Sequence, residues 1–381
     1  MIKALCYLFL ILQVPFQTRA QKLNKADAQK LASDEISKQS DLQKAKAKRN
    51  WESKIITYGN YSMKFEYRII GDAPKDGRSL YISLHGGGNT SQAGNDQQWK
   101  NQINLYTPKE GVYLAPRAPT NTWNLWHEDH IDNMFADLIK AAVLNAGVNP
   151  SKIYLLGYSA GGDGLFQLAP RMADYWAAAA MMAGHPGDAS ALSLRNLPFA
   201  IYMGGADAAY KRNELAGVWK AKLDSLEKTY PGNYIHDVHI YDGMPHWMGR
   251  RDTIAIPWLA SFKRNALPKT VAWHQDDRIH EQFYWLGVPK ESAIPHAETI
   301  ATISGNVITI EKNENAVLYI YLNDKMLNLD KKIKIQQDGK VLFNGKISRS
   351  AAIIQQTATR LDPELVFSAR LKLEKGKIQV N

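Results

Sequence analysis

The sequence predicts an α/β protein: a mostly parallel sheet flanked by helices, followed by a small C-terminal all-β domain. Three observations predict it. Between Ser62 and Leu259, apolar strand-like runs alternate with longer helical stretches. One run, Ile153 to Gly157, leads into a Gly-Tyr-Ser-Ala-Gly turn that opens a helix. After Leu267-Pro268 the helical period stops and short alternating runs replace it. At 381 residues the chain also exceeds what one hydrophobic core usually holds, which calls for a large domain and a smaller one.

Residues 1–20 read as a secretory signal peptide, with Lys3, an apolar run from Ala4 to Val14 and a small-residue exit at Thr18-Arg19-Ala20. The run is too short to span a bilayer, so no membrane span is expected, and the expected location is secreted or periplasmic. The only cysteine, Cys6, lies inside that segment, so a chain cleaved after Ala20 has neither a thiol nucleophile nor a disulfide. Residues 21–52 are rich in Lys, Ala, Gln, Asp and Glu and contain no Gly or Pro. They predict a polar helix with a thin apolar stripe, docked weakly on the catalytic domain or standing as a stalk.

The catalytic domain is placed at residues 53–267. Its candidate strands are Met63 to Ile70, Leu80 to Leu84, Gly111 to Ala115, Ile153 to Gly157, Trp176 to Met182, Phe199 to Met203 and Ile235 to Tyr241. Their mostly unbroken apolar character suits strands covered on both faces. Candidate helices are Asp129 to Ala146, the stretch after Gly161, Asn213 to Thr229 and Thr253 to Arg264. Residues 268–381 read as a β-sandwich-like accessory domain. Its alternating runs are Ile300 to Ile310, Val317 to Leu322, Ile333 to Gln336 and Val366 to Leu373, with a hairpin turn at Asp338-Gly339.

The net charge is +10, but the basic residues are scattered along the chain. That reads as a solvated surface, and no basic run interleaved with stacking aromatics suggests a nucleic-acid partner.

Chemistry concentrates in four segments. In Gly157-Tyr158-Ser159-Ala160-Gly161 the strand-turn-helix context exposes a serine on a tight turn and aims the positive end of a helix at it. A serine hydroxyl needs a base to take its proton, and the base needs a carboxylate to fix its tautomer. His246, in Gly243-Met244-Pro245-His246-Trp247, is the candidate base, and Asp207, after Gly204-Gly205-Ala206, the candidate acid. Asp163, Asp237 and Asp242 are the competing carboxylates, read as turn or capping residues. His85-Gly86-Gly87-Gly88 ends a strand where backbone amides complete an oxyanion hole, with Ala160 as one donor and Gly87 or Gly88 as the other. Tyr158, Trp126 and Trp247 are assigned to the substrate pocket. Other loop residues after the strands, among them Asn95, Asp96, Trp99, Arg117, Asn121, Trp123, Asn124 and His127, fall at the sheet edge where ligands bind. Tryptophans there suit a sugar or an aromatic ester, and His185 is read as pocket lining. His127 and His130 lack the one-turn spacing of metal-binding histidines, so no metal site is expected.

Together the four segments resemble the α/β-hydrolase superfamily, and within it secreted bacterial esterases akin to polyhydroxybutyrate depolymerases, feruloyl esterases and prolyl-oligopeptidase-like hydrolases. The resemblance covers about Lys54 to Arg264. It implies an α/β-hydrolase fold, a triad of Ser159, Asp207 and His246, oxyanion donors in Ala160 and the glycine loop, and hydrolysis of small-molecule or polymer-linked carboxylic esters, carbohydrate-linked ones included, without a cofactor. Two alternatives stay open: a serine peptidase of prolyl-oligopeptidase-like type, and a polysaccharide-binding protein on a hydrolase fold.

Overall fold

The computed structural model describes residues 23–380, so the expected signal peptide and its cysteine lie outside the described residues. The chain starts with α1 (Lys25–Ser53), capped by the Asn24 side chain and ended by Lys54 in the left-handed conformation.

The strands β1 (Ile55–Tyr58), β2 (Tyr61–Ile70), β3 (Arg78–Leu84), β4 (Gly111–Pro116), β5 (Val148–Tyr158), β6 (Ala178–Met182), β7 (Phe199–Gly204) and β8 (His236–Tyr241) form one sheet in the order β1-β2-β4-β3-β5-β6-β7-β8. The first two are antiparallel to their neighbours, and from β4 onward every pair is parallel. This order and these directions are those of the α/β-hydrolase fold.

Strand side chains alternate between faces, and both faces are apolar because helices cover both. Leu80, Ile82, Leu155, Met181 and Ile201 face α3 (Asp129–Ala146), α4 (Ala160–Arg171) and α5 (Arg212–Thr229). Tyr81, Tyr113, Tyr154, Leu156 and Tyr202 face the side covered by α6 (Ala255–Ala260). Helix α2 (Gln92–Ile103) follows β3 and was not expected. It has no apolar stripe: the residues it buries are Asn95 and Gln102, the latter donating to Ser83 Oγ. The helix expected from Thr253 to Arg264 is shorter because a 3₁₀ turn precedes it and Arg264 leaves it, bonding Ser151 O through its amide.

The C-terminal part holds β9 (Thr270–His274), β10 (Gln282–Phe283), β11 (Leu286–Gly287), β12 (Glu298–Ser304), β13 (Val307–Asn313), β14 (Val317–Leu322), β15 (Ile333–Gln337), β16 (Lys340–Gly345), β17 (Ala369–Glu374) and β18 (Lys377–Val380). They form two five-stranded sheets, β10-β11-β14-β17-β18 and β16-β15-β13-β12-β9. The expected single run Ile300 to Ile310 is the hairpin β12–β13, turned at Gly305, and the β15–β16 turn has Asp338 and Gly339 at φ 49 and 73. Beside these two sheets the expected β domain carries one short helix: Ser350 leads into α7 (Ala351–Ala358), whose Ile353 and Ile354 are buried.

The polar N-terminal helix is neither a stalk nor weakly docked. Its C-terminal half buries Ala47 and Trp51 in the main core, and Lys46 pairs with Asp137 of α3 at 2.6 Å. Its N-terminal half packs Ala28 on Ile354, Ala358 and Val366, and Gln355 of α7 donates to Glu35 at 3.1 Å. A thin stripe suffices because each half covers a different unit. The two units also share one apolar core and two buried ion pairs, Arg264–Asp362 and Arg360–Asp174, each at 2.5 Å.

Candidate active site

Ser159 stands between β5 and α4 at φ 59, ψ −122, a conformation L-residues rarely adopt. The turn is tight enough to dictate its neighbours: a Cβ on Gly157 would lie 2.3 Å from Gly161 O, and one on Gly161 2.3 Å from Leu84 O. The strain is held by Ser159 N–H bonding Met182 O of the adjacent strand and Asp163 N–H bonding Ser159 O.

His246 arrives on the loop after β8 and Asp207 on the loop after β7. The loops are laced together: Gly205 N–H bonds Tyr241 O, and Ala206 N–H bonds Met244 O. A Cβ on Gly204 would meet Pro245 O at 2.2 Å. Under the histidine loop, the Tyr158 hydroxyl donates to His246 O at 2.6 Å and accepts from Met248 N–H at 3.0 Å. The result is a chain of hydrogen bonds, with His246 Nδ1 2.7 Å from Asp207 Oδ2 and His246 Nε2 3.0 Å from Ser159 Oγ. The carboxylate accepts, so the ring proton sits on Nδ1 and the Nε2 lone pair faces the serine hydroxyl. Asp207 is buried while His246 keeps an accessible edge.

Ser159 and Ala160 open into a cavity of about 300 Å³, lined also by Gly87, Gly88, Asn89, Trp123, His127, Asp163, Gln167, His185, Gly187, Tyr210 and Arg212. The two loop glycines differ in a way the sequence left open. Gly88 N–H is spent on Asn95 Oδ1 at 2.8 Å, whereas neither Gly87 N–H nor Ala160 N–H donates to any acceptor among the described residues. The pair of free amides at this wall is therefore Gly87 and Ala160.

The glycine loop is fixed from behind. Buried Asn95 donates to Thr90 O and to Asn121 Oδ1, and Asn121 in turn accepts from Arg117, which pairs with Asp96 at 2.8 Å. His85 is fully buried: its Nε2 accepts from Ala118 N–H, so its Nδ1–H donates to Gly86 O. Burial drives its pKa down to about 3, so the ring stays neutral. Burial likewise lowers His127 to about 4 and raises the Asp163 carboxyl, whose Oδ1 accepts from His185 N–H.

Three pocket expectations are corrected. Trp126 is fully buried behind the glycine loop, where its indole N–H donates to His85 O, so it supports that loop and lines no cavity. Tyr158 spends its hydroxyl on the histidine loop. Trp247 is half exposed and packs on Tyr158 at 5.5 Å, away from the cavity. Sequence reasoning missed Gln167, Tyr210 and Arg212. Lying three to six residues beyond the motifs, in no pattern of their own, they left no local signal. Among the described residues, no three His, Cys, Asp or Glu side chains gather to hold a metal ion, and no helix is long and apolar enough to cross a membrane.

No protein-family model matches the chain, and no curated protein matches it in sequence. Among solved structures it is similar to a thermostable esterase at 16% identity, covering 55% of this chain and 64% of that one with a TM-score of 0.44. The chain thus spans just under two thirds of that structure's length. It is also similar to Thermogutta terrifontis esterase 2, at 18% identity over 54% of this chain and 88% of that one, TM-score 0.40. A ferulic acid esterase matches at 14% identity over 52% of this chain and 98% of that one, TM-score 0.36.

Proposed function

We propose that the chain is a secreted serine hydrolase that cleaves carboxylic esters through an acyl-enzyme, with Ser159 as nucleophile, His246 as base and Asp207 as its orienting acid. The observation that carries this reading is the unbroken run of hydrogen bonds from Asp207 through His246 to Ser159, on a strained turn beside two free amides.

In the first half-reaction Nε2 of His246 takes the Oγ proton as Ser159 attacks the ester carbonyl. Asp207 stabilises the imidazolium, and the amides of Gly87 and Ala160 receive the oxyanion. His246 then returns the proton to the departing alkoxide. In the second half-reaction it deprotonates water, which attacks the acyl-serine, and the same proton restores the serine hydroxyl. One oxyanion donor of this kind is worth about 10²–10³ in kcat. Trp123 and Tyr210, two exposed rings on the cavity wall, supply stacking surfaces that suit a carbohydrate-linked ester. Secretion rests on the sequence of residues 1–20 alone.

Ser159→Ala tests the assignment directly. Turnover of p-nitrophenyl acetate is expected to fall by about 10⁴ or more, and labelling by a fluorophosphonate probe to disappear. Retention of most of the activity would sink the assignment.

A further inference from the structure

Among the described residues, Arg212 is the one guanidinium on the cavity wall, and its side chain makes no hydrogen bond to any of them. It is nearly buried, with only 11% of the side chain exposed, and its Nε has no partner. Two carboxylates face it at a distance, each with one oxygen spent elsewhere, and neither hydrogen-bonds to it. Asp207 Oδ2 holds His246 while Oδ1 stays 4.0 Å from the guanidinium, and Asp163 Oδ1 takes His185 N–H. Burying a cation with its donors unspent is costly. Its position costs more: Arg212 opens α5, where the helix dipole disfavours a cation. The two residues before it, Tyr210 and Lys211, sit at φ 55 and 58 without being glycine. The Tyr210 ring then lies 4.8 Å from the guanidinium and screens one of its faces. Backbone strain, the helix dipole and desolvation oppose this placement, and an incoming acceptor would relieve the last.

Resting on the ester-cleavage reading of the same cavity, we propose that Arg212 is a specificity-determining residue that recognises a carboxylate borne by the substrate, donating its N–H groups to that carboxylate while Ser159 attacks the ester carbonyl. A guanidinium matches a carboxylate in a planar, two-bond contact that a neutral ester cannot make.

Two substrates that differ by one methyl group test it: the mono-4-nitrophenyl ester of adipic acid and the same ester with its free carboxyl methylated. The wild-type protein is expected to favour the acid by about 10-fold or more in kcat/KM. Arg212→Gln should bring that ratio to about one, and Arg212→Lys should retain part of it. A wild-type ratio at or below one overturns the proposal. So does an equal loss on both esters in Arg212→Gln, which would mean that Arg212 serves Asp207 instead. Calorimetry on Ser159→Ala supplies an arm that needs no turnover: monomethyl adipate should bind more tightly than dimethyl adipate, and Arg212→Gln should remove the difference. Discrimination without turnover sinks the ester-cleavage reading alone; turnover without discrimination, or binding of neither compound, sinks the Arg212 proposal.

Discussion

Asn95 occupies the position on which the glycine loop depends. Its Oδ1 takes the Gly88 amide and its Nδ2 ties the loop to Thr90 and Asn121, so the Gly87 amide is aimed by a side chain that touches no substrate. Asn95→Ala is expected to lower kcat for p-nitrophenyl acetate by about 10- to 100-fold with a smaller effect on KM, as loss of transition-state stabilisation requires. An unchanged kcat would show that the loop holds its shape without the amide. His85, in the same loop, sets an acid limit on stability. In the unfolded chain it takes up a proton below about pH 6.5, and in the folded protein only near pH 3. The unfolded state therefore binds more protons across that window, so stability falls as pH drops from 6.5 toward 3, by about 5 kcal/mol at full extent. His127 acts in the same direction over the upper part of the window. Urea midpoints followed from pH 7 to 4 should decline less steeply in His85→Asn, which keeps a donor toward Gly86 O without titrating; parallel declines would exclude His85 as the source. At this scale, motif residues were legible because a tight turn restricts its own sequence: Gly157 and Gly161 admit no Cβ, and Ser159 follows from them. Arg212 and Gln167 were not, because their meaning comes from what the fold lays opposite them.

Helix α1 shows how little a helix needs to be anchored. Trp51 packs tilted against Tyr67 at 4.2 Å and Phe65 at 5.7 Å, while Leu42 faces solvent. Trp51→Ala should cost about 3 kcal/mol, the usual range for an emptied aromatic site, and Leu42→Ala less than about 0.5 kcal/mol. Urea titrations of the two variants decide between this and a loosely attached helix, for which both would be near neutral. Elements were legible where burial is two-sided. The second half of β5 and the strands β4, β6 and β7 are nearly unbroken apolar runs, and α3 was placed from Asp129 to Ala146, as found. Helix α2 escaped because its buried residues are polar, Asn95 serving the glycine loop and Gln102 bonding Ser83 of β3, and α7 because eight residues among strands carry too short a period to stand out.

Taken whole, the molecule is built to unfold as one body. Arg264 of the larger unit reaches Asp362 and the Asp174 carbonyl, and Arg360 of the C-terminal unit reaches Asp174 in return, all well buried. Because removing one partner strands a buried charge, Asp362→Ala should cost about 3 kcal/mol or more. The wild-type protein is expected to show one calorimetric transition whose enthalpy agrees with the van't Hoff value, with two transitions emerging in Asp362→Ala. Two separated transitions in the wild type would instead mean that the shared core does not couple the units.

The double footing of α1 also fixes an order of events during synthesis. Its partners Gln355 and Thr359 lie more than 300 residues downstream, with contacts at sequence separations of 320 and 316. Half of the footing of α1 is therefore missing until those residues have been translated. Its lysine-rich, weakly apolar surface suits that wait, since a helix with a broad greasy face would be the first part of a nascent chain to stick to something else.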